Sequence, residues 1–249
     1  HVLLVTDEAI AGIELHKPAL ESLAGSGVEA TVFTGVKADP PESVVLEALA
    51  IAKEAGVDGV IGFGGGSSMD VAKVVSLMLN SGESLEEIYG VGKAKGSRLP
   101  LIQMPTTAGT GSEVTPIAII TTGETTKQGI VAPQLLPDAA ILDAELTVGL
   151  PPFPTATTGI DAMVHAIEAF ASKRKKNPYS DMLAKEALRL LARNVVDAVT
   201  NGTNVEARSA MLLGAMMAGQ AFANAPVAAV HALAYPLGGY YHIAHGLTN

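Results

Sequence analysis

The run Val57-Asp58-Gly59-Val60-Ile61-Gly62-Phe63-Gly64-Gly65-Gly66-Ser67-Ser68-Met69-Asp70 decides the class of the fold. Its first five residues are a short apolar strand, and the helical pattern Val71 to Leu79 follows the glycines with no linker. Glycines let a ligand approach the backbone, and a helix amino terminus offers unpaired N–H groups and a favourable dipole, so the turn reads as a phosphate cradle. The competing reading is a plain strand-to-helix turn. Ser67 and Asp70 read as a capping box for the helix. No Gly-Lys-Ser/Thr follows, so this is not a Walker A loop, and G-x-G-x-x-G fits Gly62, Gly64 and Ser67 only without its third glycine. The ribose-binding acid of that fingerprint belongs about 20 residues downstream, whereas the candidate here, Asp7, lies upstream.

Working outward, Val2 to Val5 is a continuous apolar strand with Asp7 at its carboxyl end. Residues 12–25 carry a helical pattern closed by Gly25, Glu29 to Thr34 read as a strand, and Pro40 to Ala55 as a helix ended by Gly56. This β-α-β-α alternation predicts a parallel sheet covered on both faces. Downstream, Leu99 to Met104 is a strand that runs into Pro105-Thr-Thr-Ala-Gly-Thr-Gly-Ser-Glu113, a second polar loop at a strand's carboxyl end, where open α/β sheets bind ligands. An ordinary hydroxyl-rich turn is the alternative. Ile117 to Thr122 and Ala139 to Leu142 are expected to close the sheet.

Gly149-Leu-Pro-Pro-Phe-Pro154 marks a boundary, giving an α/β domain over residues 1–150 and an all-helical domain over 151–249. The expected helices are Thr158 to Ser172, Pro178 to Thr200 with Asn177 as cap, and Val205 to Asn224. Small residues in Gly214-Ala-Met-Met-Ala-Gly219 permit close helix packing, with the methionines filling the core.

Chemistry concentrates in the helical half. Asp161 and His165 lie at i and i+4 and so point from one helix face, a separation that suits two ligands of one ion; a helix aspartate beside a half-buried histidine is the plain alternative. Three of the six histidines, His231, His242 and His245, fall in the last nineteen residues. On one straight helix they would share a sector of about 60°. Pro236, Gly238 and Gly239 break that phase relation, so spacing does not choose between His242 and His245. With no cysteine, the donors are oxygen and nitrogen, the set for a divalent first-row metal such as iron or zinc.

Composition removes other classes. A net charge of −9 argues against a nucleic-acid or anionic-membrane partner. The one dense basic run, Lys173-Arg-Lys-Lys176, reads as a solvated helix end. The lack of cysteine also excludes disulfides and thiolate nucleophiles and fits a cytoplasmic location. No apolar run of about 18 residues offers a membrane span.

Taken in order, these motifs resemble the iron-containing (group III) alcohol dehydrogenases along essentially the whole chain. The matching residues are Val5-Thr-Asp7, Gly64-Gly-Gly-Ser-x-x-Asp-x-x-Lys73, Pro105-Thr-Thr-Ala-Gly-Thr110, Gly159-x-Asp161-Ala-x-x-His165-Ala-x-Glu168, His231-Ala-Leu-Ala-x-Pro-Leu-Gly-Gly239 and His245-Gly246. The resemblance implies a dinucleotide-binding α/β domain, a helical domain and an active site in the cleft between them. It implies Asp161, His165, His231 and His245 as metal ligands, with Fe2+, or Zn2+ or another divalent ion, bound there. It also implies that Gly65, Gly66 and Ser67 hold the pyrophosphate, that Thr106, Thr107 and Thr110 line the nucleotide, and that Lys127 lies near the nicotinamide ribose. Asp7 would accept the adenosine ribose hydroxyl, favouring NAD over NADP. A homodimer acting on a small alcohol or aldehyde is the implied assembly.

The sequence departs from the family at Tyr235, where many members carry a histidine, so a histidine relay at that position is not expected. His242 is read either as a proton carrier or as a packing residue. Family members extend further at both ends, so the resemblance implies a truncated chain whose helical domain is incomplete. The expected activity is reversible NAD-linked oxidation of a primary or small secondary alcohol. The alternatives are a zinc polyol dehydrogenase of the glycerol type, a metal-dependent hydrolase and a non-catalytic relative.

Overall fold

The computed structural model describes residues 1–123, 126–226, 229–234, 243 and 245–249, with the backbone alone at His245. The chain divides into two compact units: His1–Pro105 with Pro116–Ile141, and Thr106–Thr115 with Leu142–Asn249. The polar loop after residue 105 thus belongs with the helices.

In the first unit, strands β1 (Val2–Asp7), β2 (Ala30–Val36), β3 (Gly59–Gly64), β5 (Leu101–Pro105) and β8 (Ala139–Ala140) form one parallel sheet in the order β2-β1-β3-β5-β8. All six residues of β3 are buried, which is why the central strands read as unbroken apolar runs. Helices α1 (Glu8–Gly12), α2 (Lys17–Gly25), α3 (Glu42–Ala55) and α4 (Gly66–Ser81) follow the strands, and α5 (Leu85–Ile88) precedes β4 (Gly90–Val91).

Three expectations are corrected here. Residues 12–25 are not one helix: the Asp7 carboxylate accepts the Ile10 N–H at 2.9 Å and starts α1, Glu14 takes a left-handed backbone, and α2 begins at Lys17 with Pro18 in its first turn. Residues 117–122 do not close the parallel sheet. They form β6 (Ile117–Thr122), which pairs antiparallel with β7 (Thr126–Val131) in a separate β4-β7-β6 sheet. Finally, Asp70 does not complete a capping box. Gly65 stands at the cap of α4, which no side chain caps, and Asp70 Oδ2 accepts the Ile119 N–H of β6 at 2.9 Å.

That last contact explains why α4 is buried nearly all round, for it lies between the parallel sheet and β6. Lys73 is fully buried one turn from Asp70, and its ammonium donates to the Ile117 carbonyl at 2.7 Å and lies 3.8 Å from Asp70 Oδ1. Removing one member of a buried charge pair costs about 3–5 kcal/mol because the other stays desolvated. Asp70→Ala is therefore expected to lower the urea midpoint strongly, and an unchanged midpoint would show that the pair contributes little.

The entry to β5 is tied differently. Arg98 donates to both Asp138 oxygens, at 2.7 and 2.9 Å, and Asp138 Oδ2 also accepts the Leu101 N–H at 2.8 Å. Chiefly through the Arg98 hydrogen bonds, the Asp138 carboxyl is held below its ordinary value. A depressed folded-state value contributes stability above the unfolded aspartate value, and that contribution disappears as pH falls through the folded one. The gap in thermal midpoint between the wild type and Asp138→Asn is thus expected to be full at pH 7 and to narrow progressively as pH falls below the ordinary aspartate value. A gap independent of pH would contradict this.

The second unit is helical: α6 (Pro152–Ala171), α7 (Pro178–Thr200) and α8 (Val205–Asn224) pack on one another. Their contacts are alanine-rich, with Ala162, Ala166, Ala184, Ala187, Ala215 and Ala218 fully or almost fully buried. Gly159 and Gly214 leave the space that Met211 and Leu191 occupy, whereas Met216 and Met217, the methionines expected to fill the core, are only partly buried. Pro151 and Pro152 begin α6 rather than separating it from what precedes. Among the described residues, no helix is long and apolar enough to cross a membrane.

Candidate nucleotide cradle and metal centre

In the first unit, the strand order reverses between β1 and β3, the place where doubly wound sheets open a crevice at their carboxyl ends. A cavity of about 420 Å³ lies at these ends, lined by residues that include Asp7, Gly35, Lys37, Gly65, Gly66 and Ser67. Gly64 has φ +153°, and a Cβ there would lie 2.6 Å from Ser68 Oγ, so glycine is required for the chain to turn into α4. Among the described residues no side chain caps α4, which leaves its first N–H groups toward the cavity-lining turn Gly65–Ser68. Asp7 has two roles, as cap of α1 and as cavity wall. The structure therefore brings Asp7, Gly65, Gly66 and Ser67 together. Lys127 does not line this cavity; its ammonium pairs with Asp39 at 2.6 Å.

Thr106, Thr107 and Thr110 lie in the second unit, on the loop that leads to a 3-10 turn at Ser112–Val114. Thr106 is buried, and Thr110 Oγ1 accepts the Ser112 N–H at 3.3 Å.

The second unit also holds the ligand cluster. Asp161 and His165 project from one face of α6, and His231 reaches them from the helical residues 229–234. All three are buried, and one ligand atom from each lies within 4.8 Å of the other two. Asp161 Oδ1 is 3.9 Å from His165 Nε2 and 3.7 Å from His231 Nε2. Ligand bonds of about 2.1 Å at tetrahedral angles place neighbouring donors about 3.4 Å apart. The two separations from Asp161 exceed that by only a few tenths of an ångström, and all three donors lie within 4.8 Å of one another, which suits a shared divalent ion.

The rings are held by packing. His165 stacks on His231 with centroids 4.5 Å apart and meets Phe222 at the same separation. Burial works against a charged His231, but the neighbouring carboxylates of Asp161 and Glu168 outweigh it and raise its proton affinity above the ordinary histidine value. Two further residues, to which the sequence assigned no role, belong here. Glu168 Oε2 lies 2.6 Å from His231 Nδ1, and Asn249 donates its amide to Asp161 Oδ1 and lies 3.5 Å from His231 Nε2. Glu168 stands one turn beyond His165, a signal that spacing could have offered; nothing local marks Asn249.

Tyr235 and His242 lie outside the described residues, as does the His245 side chain. The His245 backbone opens a short helix, His245–Thr248, that packs on α6. Gly246 makes this approach possible, because a Cβ there would lie 1.9 Å from the Thr157 carbonyl oxygen.

Fold and cluster define a class: an α/β unit with a switch-point cavity, followed by a helical unit bearing an Asp-His-His cluster. Residues 1–144 match the family described as iron-containing alcohol dehydrogenase, and residues 155–249 match the carboxyl-terminal part of the Fe-containing alcohol dehydrogenase family. The chain belongs to the iron-containing alcohol dehydrogenase family. It is 44% identical to long-chain-alcohol dehydrogenase 1 of Geobacillus thermodenitrificans, over all of this chain and 63% of that protein. The crystal structure of a 1,3-propanediol oxidoreductase superposes with TM-score 0.96 at 38% identity, over 99% of this chain and 65% of the other. That of sulfoacetaldehyde reductase from Bifidobacterium kashiwanohense in complex with NAD+ gives 0.91 at 34% identity, again over 99% and 65%. The chain thus spans a little under two thirds of the length of these relatives.

Proposed function

We propose that this chain carries the cofactor- and metal-binding parts of an NAD-linked alcohol dehydrogenase that interconverts a small alcohol with its carbonyl compound. The observation that carries the reading is the buried Asp161-His165-His231 cluster. His245 as fourth ligand and His242 as proton carrier complete it on the strength of the family motif. The metal, iron or zinc, supplies Lewis acidity toward the substrate oxygen. Asp161 contributes the negative charge that holds it, the two imidazoles contribute neutral donors, and the stacked rings and Phe222 fix their orientation.

On the nucleotide side, Gly65, Gly66 and Ser67 would receive the pyrophosphate on open N–H groups. Thr106, Thr107, Thr110 and Lys127 join the reading through the motif alone. Asp7 would accept a ribose hydroxyl and repel a 2′-phosphate. Asp7→Ser is accordingly expected to narrow the preference for NAD over NADP by about tenfold or more. Calorimetry with each nucleotide checks this, and an unchanged preference would remove Asp7 from that role.

The test of the whole is an anaerobic assay with Fe2+ or Zn2+, NAD and a panel of alcohols, following nicotinamide absorbance. Turnover that His165→Ala abolishes is expected; full turnover in that variant would dismiss the site. A cytoplasmic homodimer belongs to the reading through the family resemblance, and sedimentation velocity checks the dimer.

A further inference from the structure

We propose that Glu168 is a positioning residue that selects the tautomer of His231 whose Nε2 is left as a lone pair facing Asp161 and His165. Its consequence for metal binding rests on the functional reading above, but the tautomer itself does not. Asp161, His165 and Glu168 stand at i, i+4 and i+7 on α6, so one stripe of this helix presents two candidate ligands and the carboxylate that addresses the third. Glu168 is buried, and both its oxygens take hydrogen bonds from the same incoming segment. Oε1 accepts the Val230 backbone N–H at 2.7 Å, and Oε2 lies 2.6 Å from Nδ1 of the buried His231. With Glu168 ionised, its oxygen at that distance can only accept, so Nδ1 carries the hydrogen. In a neutral imidazole Nε2 then has none, and this is the atom that lies 3.7 Å from Asp161 Oδ1.

The paired use of both oxygens makes the carboxylate hard to replace. Glutamine is nearly the same shape but offers one acceptor and one donor. If its oxygen keeps the Val230 N–H, its NH2 faces His231 Nδ1, and the ring must turn that nitrogen into an acceptor and move its hydrogen to Nε2. If its oxygen instead keeps His231, its NH2 opposes the Val230 N–H and the backbone clamp is lost. Aspartate keeps both acceptors on a shorter arm. The ordering wild type, Glu168→Asp, Glu168→Gln in Nδ1-protonated fraction therefore follows from acceptor count rather than from size.

The test has two arms. In metal-free protein labelled with 15N histidine, ring nitrogen shifts at pH 9 are expected to show an Nδ1-protonated His231 in the wild type. Glu168→Gln should shift the hydrogen toward Nε2, and Glu168→Asp should retain the wild-type form. In the second arm, Co2+ titration is expected to show roughly 10- to 100-fold weaker binding by Glu168→Gln, with partial recovery in Glu168→Asp. An Nε2-protonated ring in the wild type overturns the proposal, as does an unchanged tautomer or unchanged Co2+ affinity in Glu168→Gln. The expected tautomers in a wild type that binds no Co2+ would uphold the role of Glu168 and refute the metal reading. Should Glu168→Gln fail to fold by circular dichroism, the wild-type spectrum and Glu168→Asp still decide.

Discussion

Asp161→Ala is expected to weaken divalent metal binding by about 10²- to 10³-fold. Zinc binding to a four-ligand protein site is worth about 10–16 kcal/mol, so one ligand accounts for about 2.5–4 kcal/mol. Asp161 should fall at the upper end, since its Oδ1 lies within 4 Å of both candidate donor nitrogens, His165 Nε2 and His231 Nε2. Its oxygen also accepts from Asn249, so its loss loosens the segment 245–249 as well as the ion. Asp161→Asn separates these effects: it keeps the volume and an oxygen acceptor but removes the charge. Calorimetric titration with Co2+ or Zn2+ on the wild type, Asp161→Ala, Asp161→Asn and His165→Ala checks the prediction. Losses in all three variants, largest for alanine at 161, are expected. Equal affinity in the wild type and Asp161→Ala would place any bound metal elsewhere.

What the sequence disclosed follows from which interactions are local. The central strands and the glycine turn were legible because Val2 to Val5 and Val57 to Ile61 are buried on both faces and carry no polar residue to disguise them except Asp58 at the entry. The second sheet was not: β7 is Thr126-Lys-Gln-Gly-Ile-Val131, mostly polar and partly exposed, and its partner β4 has two residues. The spacing Ser67-x-x-Asp70 suits a local cap and a tertiary contact equally. The contact with β6 decided it, and no pattern within α4 reports where β6 lies. The loop at residues 106–115 follows a sheet strand in sequence, but Gly109 packs on Thr158 of α6 and Gly111 on Gly219 of α8, so it groups with the helices. At the candidate metal centre, Asp161 and His165 were readable because helical periodicity alone puts them on one face. Glu168 stood in the quoted motif, but the role of a carboxylate depends on the donor opposite it, and Val230 and His231 are more than sixty residues away.

Gly111 of the 106–115 loop and Gly219 of α8 carry the second large prediction, and with Gly159 of α6 they show why the same substitution should differ in cost along one helical unit. Gly→Ala inside a helix ordinarily gains about 0.8–1 kcal/mol from propensity. At Gly159 the new methyl would meet the mobile end of Met211, 2.7 Å away, which can turn aside, so Gly159→Ala should stay within about 1 kcal/mol of the wild type. At Gly219 it would meet Gly111 Cα at 2.9 Å, Gly111 O at 3.0 Å and Val114 Cγ2 at 2.9 Å. The first two are backbone atoms beside the buried Ser112 and Glu113, and they cannot turn aside. Overpacking of about 1–3 kcal/mol should then cancel the propensity gain and leave Gly219→Ala destabilised. Gly111→Ala adds left-handed strain of about 1–2 kcal/mol at φ +62°, with its Cβ 2.6 Å from Gly219 Cα, for a total of about 2–5 kcal/mol. Urea midpoints at constant slope measure these differences. Because both methyls would fill one gap, the backbones forced apart by the first should admit the second at lower cost, so the double variant is expected to lose less than the sum of the singles. Strict additivity, or a stabilised Gly219→Ala, would show that the loop does not rest on α8 at this crossing.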